Sequence, residues 1–289
     1  MSDAADGGVE AVTSPPRRRF KLTIAYDGTN FCGFQRQLDP IRTVQRDLEL
    51  AAAPIVGEPV IIHGSSRTDT GVHARGQVAH WDSSTLLEPE RLRRAINSRL
   101  AADVMVRSIE AVPSTFDASR AVQKKYRYSI WAGADRPLFA RQFVCHHYRP
   151  LDVARMHAAA RHFVGTHDFL AFQSGENERL TTVRTIFDCS VRQRGKLITI
   201  SVVGSGFLYH MVRNMAGTIL EAGRTEKSER RAAIQPEDIP AIIASLDRRR
   251  AGPCAPAQGL CLEWIRFAPL PELSSETATA IDGAAEPTA

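Results

Sequence analysis

Residues 185–192 and 196–203 each alternate apolar with polar side chains and flank Gly195, the pattern of two strands joined by a tight hairpin turn. Strands joined so closely run antiparallel, which excludes a purely parallel, doubly wound sheet. Near the start of the chain Leu22, Ile24 and Tyr26 alternate with Lys21, Thr23 and Ala25, another half-buried strand. The helical period is interleaved with these runs. Val44, Leu48, Ala52 and Ile55 recur at helical spacing between a capping Thr43 and Gly57, and Leu92, Ile96 and Leu100 do so after Pro89. Further strands are expected at 60–62, 104–112, 126–131 and 260–267. Further helices are expected over 152–165, closed by Gly165, over 207–222 before Gly223, and over 237–247. Both periods occur in each half, so the expected fold class is α+β, with an N-terminal α+β domain over 17–117 and a C-terminal one over 118–268.

Residues 1–16 and 269–289 are rich in Ala, Ser, Thr, Glu, Pro and Gly and poor in large apolar side chains, the composition of disordered tails. They also mask a charge. The first tail carries three acids, the second four, and neither a base, so the formal +5 of the 289-residue chain becomes +12 over residues 17–268. A body that basic points to a polyanionic partner, with phosphates as the natural candidate. The five cysteines, an odd number without a C-x-x-C pair, fit neither a disulfide framework nor a thiolate zinc site. No run approaches the roughly 18 apolar residues of a membrane span, and the first residues lack a secretory signal, so a cytoplasmic protein with reduced thiols is expected. Neither G-x-x-x-x-G-K-[ST] nor G-x-G-x-x-G occurs, which removes the usual nucleotide-cofactor readings.

The segment that most resembles a site is Gly64-Ser65-Ser66-Arg67-Thr68-Asp69-Thr70-Gly71-Val72-His73-Ala74, polar, glycine-bounded and placed directly after an apolar run. In an extended chain Arg67 and Asp69 share one side, and Thr68 and Thr70 take the other. An arginine there favours the ionised carboxylate, which suits a nucleophile or electrostatic stabiliser and disfavours a general acid. Asp69-Thr70-Gly71 also matches the D-T-G of aspartic proteases, but that chemistry needs a second such carboxylate, and the chain has no second motif. Lys124-Lys125-Tyr126-Arg127-Tyr128 interleaves cations with aromatics, as sites for RNA phosphates and unstacked bases do. In the 207–222 helix Leu208, Met211, Val212, Met215 and Ile219 form a buried stripe, and His210, Arg213, Asn214 and Gly217 a second one. An arginine four residues before a glycine can approach a neighbouring strand closely.

Taken together, the motifs resemble the tRNA pseudouridine synthase A family over about residues 20–267. The resemblance is carried by Tyr26-Asp27-Gly28, Gly33-Phe34-Gln35-Arg36-Gln37, the run from Arg67 to Ala74, Lys125-Tyr126-Arg127-Tyr128, His210-Met211-Val212-Arg213-Asn214 with Gly217, and Gly259-Leu260, in the family's order. It implies the pseudouridine synthase fold, two α/β-type subdomains sharing a continuous, largely antiparallel mixed sheet. It further implies isomerisation of uridine to pseudouridine at positions 38, 39 and 40 in the anticodon arm of tRNA, by a homodimer that uses neither metal nor organic cofactor. By the same resemblance Asp69 is the catalytic carboxylate, Tyr126 contacts the target uracil, Arg213 pairs with the carboxylate, and Arg67 helps displace the nucleotide and bind its backbone. Two positions depart from the pattern: Ser66 stands where glycine or alanine is frequent, and Ala101 where a proline often follows Asn-x-x-Leu. A noncatalytic tRNA-binding or RNA-chaperone module on the same scaffold is the competing expectation.

Overall fold

The computed structural model describes residues 16–175, 181–225 and 234–269, so the two expected tails lie outside the described residues except for Pro16 and Pro269. β1 (Arg18–Tyr26) buries Phe20, Leu22, Ile24 and Tyr26 on one face, as its alternation requires. It lies between β3 (His73–Ser83) and β4 (Val104–Val112), antiparallel to both. In the C-terminal half β5 (Gln123–Ala132), β9 (Leu197–Gly204), β8 (Val183–Arg194) and β7 (Gly165–Asp168) follow one another across the sheet, again antiparallel. β8 and β9 turn at Gly195, whose φ of 59° fits a tight hairpin. The last strand, β10 (Leu260–Arg266), returns to lie between β5 and β3.

The order is thus β4-β1-β3-β10-β5-β9-β8-β7, with the short strands β2 (His63–Gly64) paired to β3 and β6 (Cys145–His147) to β5. Among these pairings only β3 with β10 and β5 with β6 are parallel, so the sheet is mixed and largely antiparallel, as expected. The β3–β10 seam pairs His73 with Cys261 and Ala74 with Leu262. It brings the 64–74 loop of one half against the segment that leads into β10 from the other.

Five α-helices cover the sheet: α1 (Val44–Val56), α2 (Pro89–Asn97), α3 (Val153–Arg161), α4 (Met211–Ala222) and α5 (Ile239–Ser245). α1 packs on α2 and α3 on α4, and one apolar core runs from Phe20 and Trp81 through Tyr128 to Met215 and Ile239. Thr43 caps α1 by accepting the Arg46 N–H, and Asp152 caps α3 by accepting that of Arg155. Among the described residues no helix is long and apolar enough to cross a membrane, and the five cysteines form no disulfide.

Several elements differ from the sequence-based expectation. Residues 60–62 alternate buried Val60 and Ile62 with exposed Ile61 but form no strand. The Ile62 N–H donates to Glu49 Oε1 and its carbonyl accepts from Gln45 Nε2, both at 3.0 Å, so side chains of α1 occupy the groups that a ladder would use. α3 stops at Arg161, and Gly165, at φ 124°, opens β7 instead of closing the helix. α4 begins at Met211 rather than 207, because His210 is left-handed, at φ 59°, and a left-handed residue cannot continue a right-handed helix. The 237–247 helix resolves into a 3-10 turn at Pro236–Asp238 and the shorter α5, ended by left-handed Leu246. β3 was not foreseen at all.

Candidate active site

The 64–74 loop is held from beneath by residues of two other motifs and by Gln77 of β3. Thr68 is buried and shares a 2.7 Å hydrogen bond with the Tyr26 hydroxyl at the end of β1. Gln77, fully buried on β3, accepts the Ser66 N–H (3.2 Å) and donates to the Ser66 carbonyl (2.6 Å), fixing that peptide from both sides. His73 Nδ1 accepts the Gly28 N–H at 3.0 Å, and a β-carbon on Gly28 would overlap the Val72 carbonyl. From β5, Lys124 Nζ donates to the Ser65 carbonyl at 2.6 Å. Buried polar groups satisfied in this way define a single loop conformation. Arg67, Thr68 and Asp69 all line the cleft, Arg67 exposed and Thr68 buried. Thr70 does not follow Thr68: it is exposed, in a turn closed by the Val72 N–H donating to the Asp69 carbonyl at 3.1 Å.

Asp69, with a side chain 17% exposed, stands on the wall of a cleft of about 880 Å³. Arg213 Nη1 lies 3.3 Å and His210 Nε2 3.5 Å from the same carboxylate oxygen, Oδ2. Among the described residues Oδ1 has no partner, so the carboxylate is pinned by one oxygen and open at the other. Burial lowers the His210 imidazole below the ordinary histidine range, against the opposing pull of Asp69, so His210 is neutral at neutral pH. The cation beside Asp69 therefore comes from α4, not from Arg67 two residues away, as the R-x-D spacing had suggested. Arg67 is exposed and lines the cleft wall.

Arg213 is itself braced. Its Nε donates to the Ala255 carbonyl (2.8 Å), and its own carbonyl accepts the Ala255 N–H (3.1 Å). The approach that the glycine at 217 suggested is made, but to the segment preceding β10 rather than to a strand: a β-carbon on Gly217 would overlap the Pro253 carbonyl oxygen. Behind it Arg248 Nη2 donates to Asn214 Oδ1 at 2.8 Å and Nη1 to the Gly252 carbonyl at 2.9 Å, tying the same segment to α4.

Tyr126 reaches the cleft floor from β5, buried, with its ring edge-on to Phe207 at 5.2 Å. Its hydroxyl shares a 2.9 Å hydrogen bond with Ser66 Oγ, and burial pushes the phenol up to about 12, so it stays protonated. Tyr128, on the same strand face, is fully buried and donates to the Pro256 carbonyl at 2.9 Å, a structural role. Arg127 pairs with Glu263 at 2.7 Å, so of this cationic run it is Lys124 that faces the cleft. The structure thus gathers Asp69, Arg67, Tyr126 and Arg213 around one cavity. His210 as a partner of Asp69 was missed, because its place on the second helical stripe gave no sign of a left-handed turn. Gln77 lay in a strand whose pattern was not read, and Ser66 registered only as a departure from a motif.

Among the described residues the cleft sets one carboxylate, Asp69, among cationic side chains and over a buried aromatic ring, groups that suit a planar, phosphate-bearing ligand. A family model described as tRNA pseudouridine synthase matches residues 22–119 and 159–268. The tRNA pseudouridine synthase A of Anoxybacillus flavithermus is 44% identical over 252 residues, covering 86% of this chain and 99% of the relative. That of Geotalea uraniireducens is 42% identical over 246 residues, covering 85% and 98%, and that of Ruminiclostridium cellulolyticum 42% over 252, covering 86% and 100%. The chain belongs to the tRNA pseudouridine synthase family and is an isomerase acting on tRNA.

Proposed function

We propose that the protein converts uridine to pseudouridine at positions 38, 39 and 40 of the tRNA anticodon arm, with Asp69 as the catalytic carboxylate. The positions rest on the family resemblance. The role of Asp69 rests on one observation, that Arg213 and His210 converge on Oδ2 and leave Oδ1 open to the cleft.

The isomerisation breaks the bond from C1′ to N1, turns the base, joins C5 to C1′ and moves a proton from C5 to N1. Atoms and electrons balance without water, oxidant or co-reactant. Oδ1 adds to C6 of the ring or to C1′ of the ribose, or acts as a base in a route through a glycal. Oδ2, held by Arg213, keeps the carboxylate oriented through the sequence. The base is detached midway, so it must be held and water kept out, which suits Tyr126 on the cleft floor. Arg67 lies at the junction with a second cavity of about 930 Å³, whose walls include Arg36, His63 and Arg120. We read these two cavities, joined at Arg67, as the path of the RNA backbone, giving affinity through phosphates and little base discrimination. The enzyme is read as a cytoplasmic homodimer, which light scattering of the purified protein checks.

The test is Asp69→Asn and Asp69→Ala. Carbodiimide-treated tRNA read by primer extension should show modification with the unaltered protein and none with either variant, while gel shifts show tRNA still bound. Substantial product from purified Asp69→Ala ends the assignment.

A further inference from the structure

In a continuous helix over 207–222, Tyr209 and His210 would project about 100° apart around the axis, where adjacent side chains do not face each other. The turn that replaces it reverses this. His210 adopts φ 59°, a left-handed conformation that residues with a β-carbon take up at a cost and that is concentrated at functional sites. Its ring then lies against that of Tyr209, centroids 3.9 Å apart and planes 25° from parallel, while its Nε2 stays 3.5 Å from Asp69 Oδ2. The backbone of Tyr209 is moored: its carbonyl accepts the Ser174 N–H at 3.2 Å. Asn214 Nδ2, on α4, holds the same segment by donating to the Phe172 carbonyl (2.7 Å) and Ser174 Oγ (3.1 Å). Tyr209 is nevertheless 56% exposed and lines the cleft. Phe207, two residues earlier, is packed edge-on against Tyr126, so the two aromatics of this turn lie at different depths.

We propose that Tyr209, backed by His210, is a stacking subsite for an unpaired nucleobase next to the target uridine. The inference rests on the reading of Asp69 and Tyr126 given above, which already places the target base deeper in the cleft. A tyrosine ring offers a broad face with few rotors to freeze, and a ring already stacked on a second ring is preorganised for another planar group. Stacking accepts any base, because every base has a π-face. That tolerance is what an enzyme needs if its targets occupy several positions with different neighbours. Arg67 and Lys124, in the same cleft, supply positive charge for the phosphates of the strand that carries the base. Through the Tyr209 and His210 rings, the docked base lies two side chains away from the carboxylate of Asp69.

The test uses the full-length protein and an anticodon stem-loop RNA with 2-aminopurine beside the target uridine. The unaltered enzyme, Tyr209→Phe and Tyr209→Trp should quench the probe at saturation. Tyr209→Ala and the bulk-preserving Tyr209→Leu should leave it bright and raise KM about tenfold, within the range that loss of one base stack produces, with kcat little changed. Quenching and KM in Tyr209→Leu equal to those of the unaltered enzyme overturn the proposal, and so do equal losses in Tyr209→Phe and Tyr209→Leu, which would implicate the hydroxyl. A fall in kcat at constant KM also overturns it, assigning Tyr209 to the support of His210 alone. Failure of the underlying reading looks different: purified Asp69→Ala then still makes pseudouridine, whatever the Tyr209 variants do.

Discussion

Gly217 is buried on α4 and does not line the cleft, yet Gly217→Ala should injure both stability and catalysis. The added β-carbon has nowhere to go, because it would sit on the Pro253 carbonyl oxygen, and backbone yields less readily than the end of a flexible side chain. Overpacking of this kind costs about 1–3 kcal/mol. At roughly 2–4 °C per kcal/mol for a chain of this size, the melting temperature should fall by about 2–12 °C. Relief comes by moving the 253–255 segment away from α4, and that segment holds Arg213 through the Ala255 carbonyl at 2.8 Å. If Arg213 orients the reacting carboxylate as proposed, a displacement of about 1 Å is enough to lower turnover about 100-fold. Differential scanning calorimetry and release of tritium from C5-labelled tRNA measure the two effects on one preparation. A variant that melts and turns over like the unaltered protein would refute the argument that this segment braces Arg213.

Tyr126→Phe keeps the edge-on contact with Phe207 and loses only the bond to Ser66, about 0.5–1.5 kcal/mol, whereas Tyr126→Ala opens a cavity worth about 3–5 kcal/mol. If the ring is what holds the uracil, the Phe variant retains most of its activity in the tritium assay and the Ala variant does not; equal losses would place the hydroxyl in the chemistry. Burial lowers the imidazoles of His80, His147 and His210 below the ordinary value of about 6.5. The unfolded chain then binds protons that the folded one refuses, so stability is complete above about pH 6.5 and is lost as pH falls through that value toward the lowered ones. Thermal melts from pH 8 to pH 5 should show a progressive fall, and a melting temperature that is flat or rises on acidification would contradict the burial of these rings.

Periodic, one-sided elements were legible because their sequences carry only one instruction. β1 alternates cleanly, the β8–β9 hairpin announces its turn at Gly195, and α1 is bracketed by Thr43 and Gly57. β3 escaped notice because its residues serve two purposes. His73, Gln77 and His80 are buried in the middle of the sheet, but they spend their polar atoms on Gly28, Ser66 and Ala118, so a central strand reads as a polar stretch. The residues of the candidate site, the pairing of Arg213 with the carboxylate included, were legible through motif resemblance alone, and the rest of the wiring was not. The pairing of Asp69 with Arg213 joins residues 144 positions apart, and no local spacing encodes it. The turn at His210 was hidden because its apolar neighbours fit a helix, and only tertiary contacts override that propensity.

The place of β10 also carries a consequence for biosynthesis. Because the strand that fills the centre of the sheet is the last of the described strands in chain order, a ribosome-bound chain without it has two bare edges, β3 and β5, where the folded protein has a seam. Arg213 is likewise without its Ala255 brace until that stretch emerges, and the bare edges make the emerging polypeptide prone to association. Truncation ahead of β10 should leave an aggregating product rather than a weakly active one.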